Sequence, residues 1–113
     1  SKRTFDAIFA ARCSAGDRRI TIYALPGEAG FARLGLAVGR RYGGAVRRNR
    51  IKRLLREAFR RIRHDLPALD MVVLPRPGRE PTVPELQDSL RRLAAELAAR
   101  LASRMPPAEK ENT

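Results

Sequence analysis

Residues 40–63 read RRYGGAVRRNRIKRLLREAFRRIR, eleven Arg or Lys against one acid, Glu57, so this segment carries +10 of the chain's net +12. Charge this concentrated suits a polyphosphate partner, because each cation that meets a phosphate releases a condensed counterion. Guanidinium forks pair with phosphate oxygens in a planar, bidentate way, and Asn49 can both donate and accept. A merely solvated helix face would carry i,i+4 ion pairs, and a single acid cannot supply them. Side-chain catalysis finds little support. The one histidine, His64, sits among arginines, and Ser14, Ser89 and Ser103 have no histidine and acid placed to activate them. Gly39, Gly43 and Gly44 lack the Lys-Ser/Thr pair of a phosphate-binding loop, so they bend the chain and allow close backbone approach. No His/Cys cluster has metal-ligand spacing and no acidic cluster could hold two metals, so no residue is assigned to a metal.

Three of the six aromatic residues fall early: Phe5, Phe9 and Tyr23. Phe5 and Phe9 share a helix face by their spacing. Tyr23 points from a strand on the face opposite Ile22 and Ala24. Rings in a positive groove can stack single-stranded bases, although each ring by itself also suits core packing.

At 113 residues with 43% hydrophobic content, one domain is expected over residues 1–103, followed by a polar, Pro-containing tail at 104–113 that frays. No apolar run approaches the roughly 20 residues of a membrane span, and the first residues lack a signal-peptide pattern. The lone Cys13 excludes an internal disulfide and fits a reducing cytoplasm.

The elements that must position these residues follow from periodicity. Phe5, Ile8 and Phe9 predict a short helix over residues 4–11. Alternation predicts a strand over 18–25, and RLGLAVGR a second over 33–40, antiparallel to the first and open to a break at Gly35. From Ala45, Ile51, Leu54, Leu55, Ala58, Phe59 and Ile62 recur at helical steps, with Lys52, Arg53, Arg56, Arg60, Arg61 and Arg63 on the opposite arc; Leu66-Pro67 ends the helix. DMVVL at 70–74 reads as a central strand. Thr82 and Glu85 form a capping box for a last helix carrying a leucine stripe from Leu86 to Leu101. These elements make a small α/β sandwich with helices packed on a sheet.

GRRYGGAVRRNRIKRLLREAFR resembles the protein subunit of bacterial ribonuclease P, which carries a glycine turn, an Ala-Val pair, then Arg-Asn-Arg-Ile-Lys-Arg and an apolar-rich continuation. Here these are Gly43, Ala45-Val46 and Arg48 to Arg53, and the resemblance covers roughly residues 3–101. It implies an α-β-β-β-α-β-α order with a four-stranded sheet, three helices and a left-handed crossover around the basic helix. The third strand would come from splitting one of those above. The resemblance also implies that a catalytic RNA subunit performs Mg²⁺-dependent hydrolysis, removing the 5′ leader of precursor tRNA, with no cofactor on the isolated protein. By position, Arg48, Asn49, Arg50, Lys52, Arg53 and Arg56 resemble the family's basic RNA-binding set. Phe5, Phe9 and Tyr23 resemble its leader cleft, flanked by Arg33, Arg40 and Arg41. Gly44 stands where the family usually has Asn, and Ala37 where a hydroxyl residue is frequent.

The competing class is a general structured-RNA binder such as a ribosomal protein. A DNA-binding helix-turn-helix needs a short helix just before the recognition helix. A strand and glycine loop stand there instead, so no DNA partner is expected, nor a membrane.

Overall fold

The computed structural model describes residues 6–8 and 13–104. Residues 6–8 are helical (α1). Then follow β1 (Ser14–Gly16), β2 (Ile20–Pro26), β3 (Arg33–Leu36), α2 (Ala45–Ile62), β4 (Leu69–Pro75) and α3 (Val83–Ser103). The four strands form one mixed sheet in the order β1-β2-β4-β3.

β4 takes an inner position because its middle is apolar on both faces: Met71, Val72 and Val73 are all buried. It pairs antiparallel with β2 (Ile22↔Val73) and parallel with β3 (Leu34↔Met71). The two expected strands at 18–25 and 33–40 are therefore not neighbours, since β4 lies between them. β3 is not broken at Gly35, but it ends at Leu36 rather than residue 40. One more bond, from the Ala37 N–H to the Val73 carbonyl at 3.0 Å, precedes the chain's exit toward α2.

The third strand does not come from splitting a longer one. It is β1, three residues ahead of β2, too short to show alternation. Its hairpin is closed by Asp17, whose carboxylate accepts the N–H groups of Arg19 (2.8 Å) and Ile20 (3.0 Å).

The core lies on one sheet face. Ile20, Ile22, Ala24, Met71 and Val73 pack against Ile51, Leu55, Ala58 and Ile62 of α2 and Leu86, Leu90, Leu93 and Leu97 of α3. Fully burying one such side chain contributes roughly 1.5–3 kcal/mol. α2 ends at Ile62; a 3₁₀ turn over Arg63–Asp65 follows, and Leu66 is extended ahead of Pro67. α3 starts as expected: Thr82 Oγ1 accepts the Glu85 N–H, and Glu85 Oε1 accepts the Thr82 N–H.

The sheet's other face presents Thr21, Tyr23 and Leu25 of β2, Asp70, Val72 and Leu74 of β4, and Arg33 and Gly35 of β3. Val72 is buried there, outside the main core, as is Ile8 of α1. Phe5, Phe9 and residues 105–113 of the expected tail lie outside the described residues.

Candidate nucleic-acid interface

A tight corner delivers the chain from β3 into α2. Gly39 precedes a 3₁₀ turn over Arg40–Tyr42, and Gly43 follows at φ 151°, a conformation other residues resist. A side chain at Gly43 would also press on Arg47, its Cβ 3.1 Å from Cδ. Tyr42 plugs the corner, only 3% exposed. Burial raises its phenol pKa, and its hydroxyl meets no hydrogen-bond partner of proper geometry. Arg47 lies over this ring, 5.2 Å from the centroid, and donates to the Gly78 carbonyl at 2.9 Å. It staples the corner to the β4–α3 loop, a role its position in a basic run does not reveal.

The sequence-predicted cations then divide. Arg40 and Arg41 are exposed in the 3₁₀ turn. Arg48 is half-buried, its Nε enclosed and unpartnered. Arg50 faces Glu80 at 3.7 Å, an exposed pair that holds it weakly. Asn49, Lys52, Arg53 and Arg56 line a shallow trough of about 480 Å³ together with Glu57 and Arg60. Glu57 is committed to Arg60 (2.7 Å) and Arg61 (2.8 Å), whose hydrogen bonds hold its carboxyl below the usual range. Among the described residues, Arg40, Arg41, Arg48, Lys52, Arg53 and Arg56 thus face no carboxylate.

Tyr23 lines a recess of about 580 Å³ with Arg18, Thr21, Leu74, Pro75, Arg76 and Pro77. A second recess of about 300 Å³, lined by Ala37, Gly39, Arg41 and Tyr42, shares Leu74, Pro75 and Pro77 with it. Together they run from the sheet's outer face to the glycine corner, joining Tyr23 to Arg41. Arg33 is not brought into this groove. It makes a bidentate pair with Asp70 (2.7 and 2.6 Å), which holds that carboxyl low and raises the guanidinium. Sequence reasoning missed Arg18 and Arg76. They meet because β2 and β4 pair with Ile20 opposite Pro75, and Arg76 then donates to Thr21 Oγ1 at 3.2 Å.

Comparison with known proteins gives the family. The family model for ribonuclease P matches residues 1–98. This chain belongs to the ribonuclease P protein family. It is 41% identical over 90 residues to the ribonuclease P protein component of Brevibacillus brevis, covering 76% of this chain and 71% of that one. The Shouchella clausii component is 44% identical over 91 residues, covering 78% and 75%. Among solved structures, the Staphylococcus aureus RNase P protein superposes with a TM-score of 0.71 at 31% identity, over 87% of this chain and 91% of that one. The protein is accordingly a component of the RNase P holoenzyme, an endoribonuclease of tRNA processing, and an RNA-binding ribonucleoprotein partner. Its element order and mixed sheet are those of the RNase P protein structures. Among the described residues no helix is long and apolar enough to cross a membrane.

Proposed function

We propose that the outer face of α2 and the glycine corner grip the RNase P RNA, while the groove beside Tyr23 holds the single-stranded 5′ leader of precursor tRNA. The observation that carries this reading is the partition of charge. Five of the eight cations on α2 face no carboxylate among the described residues, although acids satisfy arginines elsewhere in the fold. Uncompensated cations on a fold that can neutralise others are kept for an external polyanion.

Arg48, Asn49, Lys52, Arg53 and Arg56, with Arg40 and Arg41, contact the RNA subunit; Arg50 joins them by releasing Glu80. Tyr23 stacks a leader base, and Arg18 and Arg76 meet its phosphates. Phe5 and Phe9 are assigned to this cleft by resemblance. Arg33 reaches the leader only by giving up Asp70.

Hydrolysis, and the Mg²⁺ it needs, belongs to the RNA. The side chains proposed to meet RNA are cations and an amide, which bind phosphate oxygens directly. The assembly works in the cytoplasm, where Cys13 stays reduced.

Reconstitution tests the reading. With a bacterial RNase P RNA at low Mg²⁺, only the mixture should cleave precursor tRNA at the mature 5′ end. Tight RNA binding without cleavage would instead identify a general RNA-binding module. Shortening the leader to one nucleotide should erase most of the protein's benefit to substrate affinity; an unchanged benefit removes the leader from the groove.

A further inference from the structure

Val46 is 72% exposed, the most exposed large apolar side chain among the described residues. Phe31, the other one, is 50% exposed and lies under the Arg63 guanidinium, 5.6 Å from its ring centroid. Val46 has no such cover. At 100° per residue it stands on the same outer stripe as Asn49, Arg50, Arg53, Glu57 and Arg60, opposite the buried Ile51, Leu55 and Ile62. Every other position of that stripe is polar.

Its surroundings are bare. Gly44 precedes it with nothing within 4 Å of where a Cβ would sit, Gly39 is equally open, and Ala45 is small and exposed. The first helical bond runs from the Arg48 N–H to the Gly44 carbonyl, and Gly44 supplies no side-chain cap. The N–H groups of Ala45, Val46 and Arg47 therefore have no partner within the helix. The result is an open helix start, apolar at Val46, with Arg50 one turn further on the same stripe.

Valine here serves neither folding nor charge. It is a weaker helix former than alanine, it buries little, and it interrupts a cationic stripe. Phosphate contacts orient a protein on RNA but carry no sequence information of their own. RNA offers apolar surface only on ribose and base faces, which single-stranded loops and shallow grooves expose. Resting on the reading of α2 as the RNA-subunit contact, we propose that Val46 seats against a ribose or base face of the RNase P RNA. It is an uncharged anchor that adds a preference for this RNA to the orientation supplied by the cationic stripe.

The test is RNA affinity across a salt series, comparing RNase P RNA with a perfect RNA duplex of similar length. Val46→Ala should melt no lower than the parent, because alanine favours the helix. It should weaken RNase P RNA binding about 5- to 15-fold, the order expected for two methyl groups lost from a buried contact. That loss should be the same at every salt concentration, whereas Arg53→Ala should lower the salt slope by about one. Val46→Lys should tighten duplex binding while narrowing the preference for RNase P RNA. Parent-like affinity of Val46→Ala, or tighter RNase P RNA binding by Val46→Lys with preference intact, overturns the anchor and leaves the RNA-subunit reading standing. A parent protein that does not distinguish the two RNAs overturns both.

Discussion

α2 and α3 pack side by side on one sheet face, both amphipathic and rich in arginine, yet their solvent faces are built to opposite ends. α3 opens with a closed capping box and Pro84 in its first turn. Its three arginines all find carboxylates: Arg91 with Asp65, Arg92 with Asp17 and Asp88, Arg100 with Glu96. α2 opens on an uncapped glycine, has no acid in its first turn, and carries Arg47, Arg48 and Arg50 within its first two turns. Cations at a helix N-terminus oppose the helix dipole, so this arrangement is locally unfavourable to the isolated fold. It becomes favourable when phosphate arrives, because free N–H groups and arginines then point at the same anion. α3 is finished within the chain, whereas α2, on the function proposed above, is completed by a partner.

The widest separation between the two helices should come from Arg53→Ala combined with Arg56→Ala. RNase P RNA affinity should fall about 30-fold at moderate salt, with the salt slope reduced by about two and thermal stability unchanged. A large fall in melting temperature would mean that these cations hold the fold together, and the contrast with α3 would collapse.

The counterpart change in the finished region is Asp17→Asn. Burial would raise the Asp17 carboxyl, but hydrogen bonds from Ser89, the Ile20 and Arg19 N–H groups and Arg92 bring it down to about 2. A carboxyl lowered by folding stabilises the protein above its unfolded pKa near 3.8, and that stability is lost as pH falls toward 2. Replacement by Asn should cost about 2 kcal/mol at neutral pH and flatten the acid limb of stability between about pH 4 and 2. Denaturant melts across that window measure both, and RNA affinity of the folded protein should not move.

Gly44→Asp exchanges one design for the other. The position is extended and sterically open. An aspartate cap there should raise stability by about 0.5 kcal/mol. It should weaken RNA binding several-fold, because it occupies the N–H groups and places a carboxylate among the arginines. A variant gaining both stability and affinity would show that the open end is not reserved for phosphate. The smallest effect belongs to Arg91→Ala, whose partner Asp65 is 3.7 Å away at the surface. Stability should change by less than about 0.5 kcal/mol and RNA affinity by less than twofold; a larger loss of affinity would extend the interface onto α3.

Much of this was legible beforehand where the signal is local. The start of α2 at Ala45, its two faces, the capping box at Thr82 and the core parity of Ile20, Ile22 and Ala24 all follow from spacings within one turn or one strand. The basic set proposed to bind RNA was legible as a run, and its cationic members except Arg50 lack carboxylate partners among the described residues. β1 was not legible, because three residues carry no period. Nor was the position of β3, which depends on β4 having two apolar faces to bury.

The sequence by itself determined which helix is amphipathic, which is capped, where the positive charge is concentrated, and the family to which that pattern belongs. Helical and strand periods, caps and charge runs are properties of residues within a few positions of one another. Only the tertiary structure decided how that charge is spent. Asp70 reaches Arg33 across 37 positions, and Asp17 reaches Arg92 across 75. The groove beside Tyr23 exists because β2 and β4 pair and carry Arg18 and Arg76 to one edge. Such partners are chosen by the geometry of the packed sheet, where distance along the chain no longer measures distance in space.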